Sequence, residues 1–184
     1  WPYTSFSEFL KSPLHIAVEN ENIELIQILL ESSNININSL ASYWSKRYFG
    51  YTYGIFKSEK TALHIAFEEK NIKVIELLLS RPEIDVYIIV FNNMCEKYDH
   101  EIKTTVLNMA VEYGIVQMVK LLLDNKNIDI KAPKIVQSRA EYIENTPLHR
   151  AIQKGDNEIK KLLLNHKDID INKHHIEIDS GVDR

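Results

Sequence analysis

Glycine is scarce in this chain: five of 184 residues, about 3% against the usual roughly 7%. A glycine-built phosphate loop or dinucleotide fingerprint is excluded, because neither spacing occurs. Cysteine is nearly absent. Cys95 stands alone, so no intramolecular disulfide forms, and no Asn-x-Ser/Thr sequon occurs. Both facts favour a reducing, intracellular and cytoplasmic setting. Charge of one sign is also lacking: 22 Lys and Arg face 26 Asp and Glu, a net −4, which argues against a globally basic nucleic-acid binder. The longest apolar run, Val86 to Phe91, is far shorter than the roughly 20 residues of a membrane span. No signal peptide is visible, and a start at Trp1 rather than methionine leaves room for an upstream segment.

What is abundant is self-similarity. Four segments superpose, beginning SPLHIAVENENIELIQILL at Ser12, TALHIAFEEKNIKVIELLL at Thr61, TVLNMAVEYGIVQMVKLLL at Thr105 and TPLHRAIQKGDNEIKKLLL at Thr146. A serine or threonine before Leu14, Ile16 and Ala17 reads as the cap of a short first helix. Pro13 and Pro147 suit its first position, where a missing N–H costs nothing. Leu25, Ile26, Ile28, Leu29 and Leu30 mark a second helix. Each unit closes on alternating residues, Ile35/Ile37, Ile84/Val86, Ile128/Ile130 and Ile169/Ile171, a strand-like pattern leading into a turn. A two-helix unit cannot bury its leucines alone, so the units are expected to stack.

The unit resembles the ankyrin repeat. Its Thr-Pro-Leu-His-x-Ala opening is intact at Thr146, Pro147, Leu148, His149 and Ala151, and nearly so in the first two units. The third departs with Val106 and Asn108, which loosens the expected tie at its helix start. The resemblance implies an all-α solenoid with β-hairpin extensions, an ankyrin repeat stack. Its divisions are an N-terminal segment 1–11, repeats 12–38, 61–87, 105–131 and 146–172, fingers 39–60, 88–104 and 132–145, and a polar tail 173–184. Trp1, Phe6, Phe9 and Leu10 are expected to cover the open side of the first repeat. Arg150, Asn157 and Lys160 replace apolar residues and make the fourth repeat resemble a C-terminal cap. Gly114 and Gly155 occupy the turn between helices, where Glu21 and Lys70 stand in the first two units and must use another geometry or accept strain.

Repeat starts at 12, 61, 105 and 146 lie farther apart than the family's period of about 33, so the fingers are long. The first concentrates Tyr43, Trp44, Tyr48, Phe49, Tyr51, Tyr53 and Phe56 with Lys46, Arg47 and Lys57. Its rings either pair across strands as structure or form a recognition surface with Lys46 and Arg47; one face can do each. Val86 to Phe91 is a pairing hazard unless the next finger covers it, and otherwise a site for strand addition. The positions matching the family's contact sites are Glu19 and Asn20, Glu68 and Glu69, Glu112 and Tyr113, Gln153 and Lys154. They make an acidic floor that turns basic at the end.

No catalytic constellation emerges. His15, His64 and His149 are the motif histidines, to which the resemblance assigns a structural role. His166, His174 and His175 fit no zinc spacing, and Cys95 has no attached signature. No metal, cofactor or catalytic residue is expected, and the chain is read as no enzyme. The leading reading is a protein–protein interaction scaffold. Its partner is another protein of basic and apolar character, held by the concave helix faces and the fingers. The alternatives are a polyanion bound at the first finger, disfavoured by that finger's small charge, and a targeting module of a larger enzyme or membrane protein. Oligomeric state is left open.

Overall fold

Each repeat opens with threonine or serine in extended backbone and turns into helix at the next residue. The first helices are α1 (Pro13–Glu19), α3 (Ala62–Glu68), α5 (Val106–Tyr113) and α7 (Pro147–Lys154). The second helices are α2 (Ile23–Glu31), α4 (Ile72–Leu79), α6 (Val116–Leu123) and α8 (Asn157–Leu164). The computed structural model describes residues 7–49, 52–88, 90–93, 101–126, 128–138 and 141–179.

Three of the second helices carry a cap that the opening motif did not announce. Asn22, Asn71 and Asp156 accept from the backbone N–H three residues on, at 3.0, 3.2 and 3.0 Å. α1 packs on α3, α3 on α5 and α5 on α7, while α4 packs on α6 and α6 on α8. The buried core follows that order, with Leu14 and Ile26, Leu63 and Leu78, Leu107 and Leu122, then Ile159 and Leu163 removed from solvent.

The turn between paired helices takes positive φ in all four repeats. Gly114 and Gly155 sit at +70° and +73°, and Glu21 and Lys70 at +52° and +57°. The first two repeats therefore keep the family geometry and accept the strain of a β-carbon there.

The motif position ties the helix start to the chain that leaves the repeat in the first and third units. In the first unit His15 Nδ1 accepts from the Ser12 N–H at 3.1 Å, which leaves Nε2–H to donate to the Ser39 carbonyl at 3.0 Å. Asn108 does the same work in the third: its Nδ2 reaches Thr105 Oγ1 at 2.9 Å and donates to the Ala132 carbonyl at 2.8 Å. The expected loosening at this unit is absent, because an amide spans the gap as an imidazole does.

The alternating segments are turns, not strands. Ile35, Ile84, Ile128 and Ile169 each donate to a carbonyl three residues back. Asn36, Asp85, Asp129 and Asp170 each accept from the backbone N–H two residues on. The period of two arises because isoleucine or valine points under the helices while the intervening Asn or Asp folds the chain back.

The strands lie beyond them: β1 (Ser7–Leu10), β2 (Ala41–Phe49), β3 (Thr52–Lys60), β4 (Val90–Asn93), β5 (Glu101–Thr104), β6 (Lys134–Gln137), β7 (Glu141–Asn145) and β8 (Ile176–Asp179). They form one eight-stranded antiparallel sheet in chain order. β4 pairs with β5 from Val90 to Asn93 and with β3 at Asn92 and Asn93, so of the run Val86 to Phe91 only Val90 and Phe91 are placed in a strand, each paired on its β5 side. The segment read as a polar tail contains β8, which pairs with β7. Phe9 and Leu10 lie in β1 and stay exposed, so they do not cover the first repeat; Trp1 and Phe6 lie outside the described residues.

Candidate protein-binding surface

The surface is a groove with the first helices as floor and the sheet as wall. Directly opposed residues share a face of a sheet, and one row crosses all eight strands: Phe9, Tyr43, Ser58, Asn92, Ile102, Val136, Ile143 and Glu177. This row is on the helix side. Tyr43 Oη donates to Glu19 Oε1 of α1 at 2.6 Å, and Ile102, Val136 and Ile143 line clefts floored by α5 and α7.

Two clefts adjoin there. One, of about 190 Å³, is lined by Asn108, Glu112, Lys134, Val136, Ile143, Asn145 and Arg150. The other, of about 160 Å³, is lined by Glu68, Ile102, Thr104, Met109 and Tyr113, and shares Asn108, Glu112 and Lys134. Half-buried aliphatic side chains form the walls and charged groups the rim, a composition suited to receiving an apolar side chain while orienting polar ones.

The acidity of the floor is largely neutralised, because Glu19, Glu68 and Glu112 each have a cation. Lys11 meets Glu19 and Lys60 meets Glu68, each at 2.6 Å. The lysine is the residue before the cap in both repeats. At that place the third repeat has Thr104, and Glu112 is instead clasped by Arg150 of the next repeat through Nε at 2.6 Å and Nη2 at 2.7 Å. Arg150 thus joins two repeats rather than simply blunting the end of the stack. Arg150's hydrogen bonds hold the Glu112 carboxyl below the usual range, with burial opposing. Burial raises the Glu19 carboxyl, but the bonds from Lys11 and Tyr43 outweigh it and leave it lowered.

Lys154 also works inside the stack. Its Nζ donates to the Glu112 carbonyl and lies 3.5 Å from that of Val111, a cation at the carbonyl end of α5. Tyr113 lies under Lys70 Nζ at 5.3 Å from the ring centre, and Glu69 is exposed. Tyr43 is held by the Phe9 edge at 5.8 Å and by the ammonium groups of Lys11 and Lys60 at 4.9 and 5.3 Å. Burial, then Glu19, pushes its hydroxyl pKa up.

The first finger divides by register. Position 43 of β2 lies on the groove side with 58 of β3, and position 44 on the back with 57. Across the hairpin Lys46 is opposed to Ile55 and Arg47 to Gly54. Trp44 is exposed on the back beside Lys57. Tyr48 pairs with Tyr53 and Phe49 with Thr52, while Tyr51 lies outside the described residues.

Sequence reasoning missed Lys11, Lys60, Lys134, Ile102, Val136, Ile143 and Asn145. The eight-residue spacing repeated in Lys11/Glu19 and Lys60/Glu68 was a usable signal for the ion pairs. The groove wall had none, since it depends on lateral pairing between fingers. Among the described residues no cluster of metal-ligating side chains occurs, and no helix is long and apolar enough to cross a membrane.

Comparison with curated proteins finds no match. A family model described as ankyrin repeats in three copies matches residues 7–90 and 87–175, nearly the whole chain and both halves of the stack. The capped helix pairs, the glycine-type turns and the groove thus have one source: the chain belongs to the ankyrin repeat family, whose repeats are generally protein–protein interaction modules.

Proposed function

We propose that this chain is a non-catalytic scaffold that holds a partner protein in the groove between its first helices and its fingers. The observation that carries the reading is the pair of adjoining clefts, open along α5 and α7 and walled by Ile102, Val136 and Ile143. The family is typically non-catalytic. The partner presents apolar side chains to this wall. The basic character expected of it rests on Glu69 alone, since Glu19, Glu68 and Glu112 already have cations. Glu69, Tyr113 and the exposed Trp44 are candidates for contact, and the rings and cations of the first finger beyond Trp44 remain candidates from the sequence.

Affinity capture tests this. The intact chain is compared with Ile102→Asp/Val136→Asp, which places two carboxylates in the wall. Proteins retained by the intact chain are expected to be lost from the double variant at unchanged helix content. Recovery of the same set by both would remove the groove as the binding surface.

A further inference from the structure

Most polar groups of the larger cleft are already engaged, and one is not. Lys134 and Asn145 are opposed across β6 and β7, as are Val136 and Ile143. All four line the cleft, together with Asn108, Glu112 and Arg150. Asn108 spends its amide nitrogen on Thr105 Oγ1 and the Ala132 carbonyl. Both Glu112 oxygens accept from Arg150, so that carboxylate and that guanidinium occupy each other. Asn145 Oδ1 is shut away from solvent, with no hydrogen-bond partner among the described residues, and is closed to an entering group.

Among the described residues the group left over is the ammonium of Lys134. Its Nζ lies 3.9 Å from Glu112 Oε2, beyond hydrogen-bond distance, and that oxygen already accepts from Arg150 Nε at 2.6 Å. The lysine side chain is 31% exposed, so its donors can reach a bound group. What the cleft offers a ligand is therefore a positive donor beside two aliphatic walls.

The charges around it are unequal. Arg150's hydrogen bonds hold the Glu112 carboxyl down against its burial, and the charges of Lys134, Arg150 and Lys154 add to the effect. Three cations thus surround one carboxylate. Lys154 donates to the Glu112 carbonyl, a group without net charge, so its own charge is not cancelled there. Acidic residues nearby do not remove the surplus, since Glu68 has Lys60 at 2.6 Å and Glu144 has Lys173 at 3.3 Å. Glu69, past the end of α3, acts on Tyr113 and not on Glu112.

We infer that the larger cleft is a subsite for an acidic residue of the partner set beside an apolar one: the carboxylate accepts from Lys134 Nζ and the apolar side chain packs on Val136 and Ile143. The inference rests on the groove being the binding surface and adds what enters it. The sign is the reverse of what the row of glutamates suggests. A carboxylate fits better than a phosphate, because the Arg150 fork that would grip a phosphate at two points is occupied by Glu112. The surplus positive charge also draws an acidic segment toward the cleft before contact.

A library of displayed random peptides, selected on the full chain, tests the inference. Peptides that bind are expected to carry Asp or Glu next to an aliphatic or aromatic residue. For the tightest of them, exchange of that acid for its amide is combined with Lys134→Gln in a double-mutant cycle. Each change alone is expected to weaken binding about ten-fold, and both together hardly more than either. Lys134→Glu, put through the same selection at unchanged helix content, is expected to return peptides with Lys or Arg in place of the acid. Peptides that are lost from Ile102→Asp/Val136→Asp yet carry no acidic residue would overturn the inference and leave the groove as the binding surface. Losses that simply add in the cycle would do the same. Peptides indifferent both to Lys134→Gln and to Ile102→Asp/Val136→Asp would overturn the groove reading along with it.

Discussion

His64 shows how much one residue of the opening motif controls. Burial, then the nearby Lys60 charge, pushes its pKa down from 6.5 to about 3, with the Ile88 backbone opposing. Burial lowers His15 and His149 as well. A histidine with a depressed folded pKa contributes its full stability above its unfolded value, near 6.5, and loses it as pH falls toward the folded value. The stack is therefore expected to weaken as pH drops below about 6.5, with Glu19 and Glu112 adding to the loss at lower pH. Asn108 shows that an amide can fill the same place. His64→Asn should flatten the pH dependence of denaturant midpoints between pH 6.5 and 4; an unchanged slope would assign the acid sensitivity elsewhere. Glu21, at φ +52°, offers a second test. Relief of left-handed strain less the extra entropy of glycine predicts that Glu21→Gly stabilises by about 0.5–1 kcal/mol, read as a higher melting temperature. Lys70 is a poorer test site, because its ammonium also rests on Tyr113.

Among the elements, the helices were legible because their signals are local and repeated four times: a cap, a proline at the first position, leucines at helical spacing. The alternating segments misled because burial alone sets a period of two, whether the backbone is a strand or a pair of turns. Stacking sets the energetics. Leu78 is fully buried, so Leu78→Ala is expected to cost about 2–5 kcal/mol. Leu25→Ala, on a helix face with no preceding repeat, is expected to cost less than about 1 kcal/mol. Equal losses in chemical denaturation would contradict the assigned order of burial. The long β2–β3 hairpin is a third case. The pairing of its own two strands could be read from the sequence as an extended hairpin. The pairing of each finger with the next could not, because no residue in one finger specifies its neighbour's register.

For the whole molecule, the repeats place first helices side by side and bring the fingers into one sheet, and the groove is the result. Its charges were legible only as a row of glutamates, because their partners lie in the preceding strand for Lys11 and Lys60 and in the next repeat for Arg150. A row that looked like a lure for basic partners is largely neutralised within the stack. In the proposed reading, a partner meets the apolar wall of Ile102, Val136 and Ile143 above α5 and α7. Hydrogen–deuterium exchange of the chain with and without a captured partner tests that claim most directly. The account predicts slower exchange in residues 101–104, 134–137 and 141–145 and in α5 and α7, with α2, α4, α6 and α8 unchanged. Protection confined to those second helices, with the groove strands unaltered, would contradict it.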